Sequence, residues 1–574
     1  MINKACRCII TLLVLSIYPV LAQANDAFRI EISGIQGEMY NNVQAQLSIE
    51  EKKSDSDISV LKMDKFLKKA PAIIRKSLEP YGYFKATVSP ANIRHVDSTL
   101  VAAFRVNPGQ PLKLSSVTVQ ILGNGESNPA LHRLAEDFPI KTGMVFNSDA
   151  YEKARDLLFQ TANDEGYIKS YFIKNEVKVD LKRYRADVTL ILQTEDRYYF
   201  GKVSYSQSPY AQSFLDRFQS FKSVTHFSSK KLYQFQQEMS NSGYFQQVEA
   251  TPDLEHIENH QVPINVDVMA PKSQRYDFGL GYGTFTGPRL SAGVNFRRLT
   301  DTGQHFNAEM KLSSVLSGLA AKYFIPGRNP LTDQYVIGAN YQKFTPKNGR
   351  SYANNLSLGY IKKSGHWHNS ITLNYLTERY SIENQPSTNS ELLYPSLNLS
   401  YVKADDILNP HNGHSLSLTL QGATRDLLSS TSFLQGELKG KYIFSPFDSS
   451  RVILRGDLGY TVVNNIDNLP LTLRYFAGGL NSIRGYPDSS IGPGKYLVTG
   501  SAEYQHRIWG NWYGALFYDA GTASDHYGDP PLSIGDGAGI VYQSVVGPIK
   551  IYLGRAENKR GKPFSVEFNV GPEF

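Results

Sequence analysis

Phe476-Ala-Gly-Gly-Leu-Asn-Ser-Ile-Arg-Gly-Tyr486 is a glycine-rich loop built around one arginine, and Phe517-Tyr-Asp-Ala-Gly521 follows it one strand later. A buried loop of this kind must give Arg484 an anionic partner, because an unpaired interior guanidinium costs several kcal/mol or more. Asp519 is the candidate partner. A lone Arg-Gly-Tyr is ordinarily a solvated surface turn, and what sets this one apart is the second segment following in order.

Around these segments, from Tyr276 to the chain end, short alternating runs recur about every 19 residues between Gly, Pro, Asn and Asp turn signals. Tyr276/Phe278/Leu280/Tyr282, Leu416/Leu418/Leu420 and Phe564/Val566/Phe568/Val570 are three of them. Small or polar residues such as Asp277, Gly279, Ser417, Ser565 and Glu567 lie between the apolar ones. Apolar on one face and polar on the other suits a transmembrane barrel, since lipid requires apolar side chains outside and closure satisfies every backbone group. Residues 275–574 hold roughly sixteen such runs, an even number as bacterial barrels require.

The seam that closes such a cylinder lies between the first run, Tyr276 to Thr284, and the last, Phe564 to Phe574. Gly279, Gly281 and Gly283 fall on the inward face of the first run, where each weakens strand order by roughly 0.5–1 kcal/mol relative to alanine. Gly571-Pro572 interrupts the last run, and proline donates no ladder hydrogen bond. Both edges are expected to pair poorly, so a sideways opening into lipid breaks fewer bonds there than elsewhere. An incoming strand could then pair with the first. The glycines could equally make room for the returning loop or accommodate barrel curvature.

Lys4 and Arg7, an apolar stretch from Cys8 to Val20, and Ala22-Gln-Ala24 form an expected secretory signal peptide over residues 1–24. Cys6 and Cys8 lie within it, so the mature chain is expected to hold no disulfide or thiolate–metal site. The formal net charge of +7 becomes +5 without Lys4 and Arg7, too mild and too scattered for nucleic acid. Aromatics make up 12% of the chain, with 36 Tyr against 3 Trp, and the mean hydropathy is −0.34. Aromatic girdles around a polar interior would give this combination.

Residues 25–272 repeat one pattern three times, centred on Gly82, Gly166 and Gly243. An amphipathic helix precedes each glycine. Its apolar positions are Met63, Phe66, Leu67, Ala70, Ile73, Ile74 and Leu78 in the first copy, Tyr151, Ala154, Leu157 and Leu158 in the second, and Leu232, Phe235 and Met239 in the third. Asn147-Ser148 and Ser228-Ser229 supply N-cap chemistry, and each glycine suits the positive φ that ends a helix. Two strand-like runs follow each time. A β-α-α-β-β unit covers one sheet face with its helices and leaves an edge open to another chain's strand. A periplasmic spacer without client contact would show the same pattern.

Loop, strand segment, repeats and alternating runs together resemble the BamA/TamA outer-membrane protein-assembly superfamily along the whole mature chain. The resemblance implies that the loop, including Gly485 and Tyr486, folds back into the barrel with Arg484 docked on acidic wall residues. Glu503 in Ser501-Ala-Glu-Tyr504 is the second acidic contact by resemblance alone. The repeats resemble POTRA modules, and three copies resemble the TamA branch rather than relatives with five, or with two and a plug helix. The chain's last residue, Phe574, with Phe568 and Phe564 on the same face, resembles a targeting strand read by outer-membrane assembly machinery.

The expected fold is three periplasmic POTRA modules (25–109, 110–196 and 197–272) followed by a 16-stranded antiparallel transmembrane β-barrel (273–574). The resemblance implies an outer-membrane insertase for autotransporters and other unfolded β-barrel clients, working against outer-membrane lipid with an inner-membrane-anchored TamB-type partner and without a cofactor. A two-partner-type secretion channel threading an unfolded exoprotein is the alternative, and a passive porin leaves the repeats without a use. Enzymatic motifs fare badly. Gly492-Pro-Gly-Lys495 lacks Walker spacing, His411-Asn-Gly-His414 reads as a turn beside Asn409-Pro410, and His366 and His368 lack a third metal ligand.

Overall fold

The structure, a computed structural model, describes residues 27–53, 60–96, 99–283, 287–382, 385–526, 531–545 and 547–570. The expected leader, Thr284, and Gly571, Pro572 and Phe574 lie outside the described residues. Two compact units divide the chain. One holds residues 1–201, 223–231 and 256–262, and the other holds 202–222, 232–255 and 263–574.

In the first unit, strand Thr99–Asn107 pairs in parallel with Ala27–Ser33 and antiparallel with Asn92–Val96. Helices Gly37–Lys53 and Val60–Leu78 accompany this sheet, and Phe66, Ala70, Ile74 and Leu78 bury against Ala102, Phe104 and Val106. That face is the one the three-to-four-residue spacing dictates. The Met63 side chain lies outside the described residues.

The second sheet repeats the order, with Arg185–Gln193 between parallel Lys113–Leu122 and antiparallel Tyr171–Asp180. Helix Ser148–Asp164 starts at Asn147, whose side chain accepts from the Ala150 amide at 3.1 Å. Tyr151, Ala154 and Leu158 are buried, but Leu157 is 41% exposed and does not belong to the apolar stripe. One residue is about 100° of helical rotation, which carries Leu157 off the face that Leu158 occupies. A third sheet orders Tyr199–Ser206, Gln261–Met269 and Gln247–Pro252, and helix Ser229–Asn241 buries Leu232, Phe235 and Met239. Gly82, Gly166 and Gly243 have φ of +87°, +96° and +80°.

Within the second unit, Tyr210, Phe214, Phe218 and Tyr244 pack largely edge to face. This cluster seats on a turn that closes the barrel's second and third strands. Ala211 donates its amide to the Asp301 carbonyl at 3.0 Å, and Arg217 Nη2 donates to the Pro326 carbonyl at 3.1 Å. Gly303, with φ +79°, lies so close to the Phe214 ring that a Cβ would strike it. Gly303→Val is expected to cost about 1–3 kcal/mol through steric overlap and backbone strain. Limited proteolysis at residues 207–222, faster in the variant, checks it.

Sixteen strands form one antiparallel sheet in chain order. Numbered within the barrel, they are β1 (Gln274–Gly283), β2 (Gly287–Phe296), β3 (His305–Leu312), β4 (Leu316–Pro326), β5 (Asp333–Phe344), β6 (Gly349–Ser364), β7 (Trp367–Ile382) and β8 (Thr388–Ala404). The second half comprises β9 (Gly413–Ala423), β10 (Phe433–Phe447), β11 (Ser450–Val463), β12 (Tyr496–Trp509), β13 (Trp512–Ser524), β14 (Ser533–Ser544), β15 (Gly547–Ala556) and β16 (Phe564–Val570). Period-two alternation fixes which residues face lipid. On β16, Phe564, Val566, Phe568 and Val570 are exposed while Ser565 and Glu567 are buried. On β12 and β13, Val498, Tyr504, Leu516 and Tyr518 point outward, so Ser501, Glu503 and Asp519 face inward.

Candidate functional site

The connection between β11 and β12, residues 464–495, turns back along the inner wall. Short 3₁₀ turns at Ile466–Asn468 and Leu471–Leu473 lead to a neck in which Tyr475–Ala477 pairs with Ile491–Gly494. Beyond the neck, Gly479 donates its amide to the carbonyls of Tyr486 at 2.9 Å and Ile483 at 3.1 Å, which folds the tip upon itself. Ile483 and Tyr486 are buried with Leu497, Ala523 and Ala556 of the wall. The tip is thereby held by apolar packing before any charge is considered.

Arg484 is 1% exposed, and its partners are spread over neighbouring strands. Nε and Nη2 each donate to Asp519 at 2.8 Å in a two-pronged contact, and the Arg484 amide adds a third bond to the same carboxylate at 2.9 Å. Nη1 donates to Glu503 at 2.5 Å, and Nη2 also reaches Ser501 Oγ at 3.1 Å. Phe517 stacks against the guanidinium at 3.7 Å and Tyr552 lies 4.8 Å away. Planar bidentate pairing together with ring stacking is arginine chemistry that lysine cannot reproduce. Arg484, Glu503 and Asp519 are thus brought together.

Further contacts escape sequence inspection. Gly485, whose φ is +90°, donates its amide to Glu567 Oε1 of β16 at 2.8 Å, so the loop is tied to the last barrel strand. Glu503 also accepts from Tyr552 at 2.6 Å and from Gln505 at 2.5 Å. Gln505 in turn accepts from Arg451 Nη2 at 2.6 Å, and Arg451 Nη1 donates to the Pro410 carbonyl at 2.9 Å. A continuous hydrogen-bonded path therefore joins the loop tip to the Asn409-Pro410 turn, and Asn409 itself donates to the Ser544 carbonyl at 2.8 Å. The turn between β8 and β9 is built as the sequence suggests, with Asp405 and Asp406 accepting from its amides.

The same excursion has a second anchor. Leu469 and Leu471 are fully buried, Leu469 among Leu376, Leu392 and Tyr394. The buried Glu378 carboxylate of β7 accepts from the Thr472 amide at 3.2 Å and from the Thr472 hydroxyl. Only the buried acid within an alternating strand could have flagged this contact, and its partner depends on tertiary register. Glu567→Ala is expected to leave the Gly485 amide without its acceptor, at a cost of about 1–3 kcal/mol. Faster protease cleavage between residues 478 and 490 checks it.

The seam differs from every other join. Each pair of consecutive strands from β1 to β16 shares an antiparallel register, and among the described residues no register joins β1 to β16, although their backbones approach within 8 Å. β1 begins two residues before the expected Tyr276, and the described part of β16 ends at Val570. Gly279, Gly281 and Gly283 pair with Ser291, Arg289 and Gly287 of β2. Phe278 and Leu280 are 81% and 89% exposed, and Phe568 on β16 faces outward as they do. Gly571, Pro572 and Phe574 of the expected seam lie outside the described residues.

A family model described as an Omp85 superfamily domain matches residues 258–574, and one described as POTRA domain TamA domain 1 matches residues 29–108. The outer membrane protein assembly factor BamA of Nitratidesulfovibrio vulgaris is 21% identical over 491 residues, which cover 81% of this chain and 60% of that protein. Outer envelope protein 80, chloroplastic, of Arabidopsis thaliana is 31% identical over 108 residues, 17% of this chain and 14% of that one. The chain spans 60% or less of the length of these curated relatives. Among solved structures, BamA from Haemophilus ducreyi lacking POTRA domains 1–3 superposes with a TM-score of 0.68 at 17% identity, over 80% of this chain and 99% of that chain. At such identity the likeness concerns the fold.

Proposed function

The chain belongs to the Omp85 superfamily, whose domain spans more than half of it, and on that premise we propose that it assembles β-barrel clients through a seam that opens sideways into the membrane. It is an outer-membrane protein with N-terminal POTRA architecture in the periplasm. The observation that carries the proposal is that among the described residues no register joins β1 to β16, whereas every consecutive pair of barrel strands shares one. An edge strand with free backbone groups templates another strand with little demand on its sequence. Phe278 and Leu280 give that edge an apolar outward face suited to lipid.

In this reading all three small sheets are POTRA modules, with limits at 25–109, 110–196 and 197–272, and their open edges receive clients and a TamB-type partner. Resemblance to the TamA branch makes autotransporters and other unfolded barrels the clients. Arg484, Glu503 and Asp519, with Gly485 and Tyr486, lock the loop inside the barrel and keep the lumen narrow. Gly279, Gly281, Gly283, Phe568, Gly571, Pro572 and Phe574 make the seam weak. The mechanism needs strand exchange and no covalent chemistry.

A photo-activated cross-linker at Leu280 separates this function from a secretion channel when compared with one at the inward-facing Asn307 on β3. A client barrel should be captured at Leu280 during assembly. Capture of an extended exoprotein at Asn307 alone would instead support threading through the pore.

A further inference from the structure

Three cationic side chains stand together on the lipid-facing side of the barrel: Lys343 on β5, Arg350 on β6 and Arg379 on β7. Lys343 and Arg379 lie directly opposite Tyr352 of β6, one on each side, in the two registers that flank that strand. Arg350 is two residues along β6 from Tyr352 and therefore on the same face. The intervening Ser351, Glu378 and Tyr380 are buried, whereas all three cations are exposed, so alternation fixes the side they occupy.

Their contacts are with neutral groups. Arg379 gives Nε to Ser387 Oγ at 3.2 Å, and the Lys343 ammonium lies 6.0 Å from the centre of the Tyr352 ring. Among the described residues none of the three cations takes part in an ion pair. Glu391 of β8 is the one acid at the outward strand positions around them, and its carboxylate accepts from the Tyr375 hydroxyl at 3.4 Å. Like charges gathered on neighbouring strands repel, and an anion seated among them would turn that repulsion into attraction.

The depth of the cluster says what that anion is. β1 leaves the periplasmic modules, so β5 and β7 end, and β6 begins, at the opposite rim; the bonds from residues 211 and 217 to Asp301 and Pro326 mark the periplasmic one. Tyr341 and Tyr352 stand outward beside the cations, 45% and 37% exposed, and such rings gather at headgroup level in membrane proteins. Leu356 and Leu358 continue the same face toward the middle of the bilayer. We infer that this cluster binds a phosphate monoester on the headgroup of a membrane lipid in the leaflet away from the periplasm. A phosphate monoester carries about −1.5 to −2 charge at neutral pH, which suits three cations, and arginine engages its oxygens in pairs. The leucines below receive acyl chains that a free phosphate lacks. The site rests on the outer-membrane placement and does not depend on the assembly role.

The test uses the full-length protein in dodecyl maltoside and counts lipid adducts by native mass spectrometry. Diphosphoryl lipid A, which carries phosphate monoesters, should bind saturably, and dioleoylphosphatidylcholine, whose phosphate is capped by choline, should bind at least tenfold more weakly. The double variant Lys343→Gln/Arg379→Gln should raise the Kd for lipid A roughly tenfold or more. Lys362→Gln removes a cation from the same outward face of β6 at the periplasmic rim, beside Asp333 in the register, and should bind as the parent does. Inorganic phosphate at the lipid's own concentration should displace none of it. Equal binding of the two lipids, displacement by inorganic phosphate, an equal loss in Lys362→Gln, or a double variant that binds like the parent would overturn the site. If the double variant fails to fold, Arg350→Gln alone should weaken lipid A binding roughly threefold or more, and an unchanged Kd there would overturn it as well.

Discussion

Arg484→Ala is expected to destabilise the docked loop by about 3–5 kcal/mol, because removing one partner of a buried ion pair strands the other charge. Asp519 is fully buried and Glu503 is 4% exposed, so neither carboxylate can recover solvent. The lost guanidinium also uncovers the faces of Phe517 and Tyr552. Arg484→Lys should recover little, since an ammonium cannot make the paired contact to Asp519 and reach Glu503 together. A lower midpoint of heat-modifiable migration and faster cleavage within residues 478–490 are the measurements. Equal midpoints for parent and Arg484→Ala would show that the loop is held by its other anchors without this ion pair.

The effects of Arg484 and Glu567 should not simply add. Both act on adjacent residues of one loop tip, where mutational energies couple. Glu567 stands on the last strand, so undocking the loop also removes a restraint on one side of the seam. Protease access to the tip and client capture at Leu280 are therefore expected to change together in either variant.

Much of this architecture is legible in the sequence, for identifiable reasons. Sixteen strands can be located because lipid forces an outward residue at every second position, a signal that repeats whatever the turns contain. Arg484 and Asp519 can be paired because a buried guanidinium must be neutralised and the segment holding Asp519 follows the loop in order. Glu503 is accessible only through family likeness, since an acid on an alternating strand is ordinary. Glu567 and Glu378 look equally ordinary. Their partners are set by where a 32-residue excursion, 464–495, comes to rest, and no local periodicity encodes that. The same holds for Arg451, which links the Asn409-Pro410 turn to Gln505 across distant positions of the chain. Leu157 shows the limit of periodicity itself, because two adjacent leucines compete for one helical stripe and only packing selects between them.

Locking the seam should have the largest functional effect. If clients enter by pairing with β1, fixing β1 to β16 removes the template edge and abolishes assembly while the folded barrel persists. The most direct measurement places cysteines at Leu280 and Phe568, joins them with a short bifunctional maleimide, and follows insertion of a client barrel into vesicles holding the locked protein. Insertion should stop in the locked form and return with a linker that can be cleaved. Undiminished insertion through a fully cross-linked seam would contradict sideways opening.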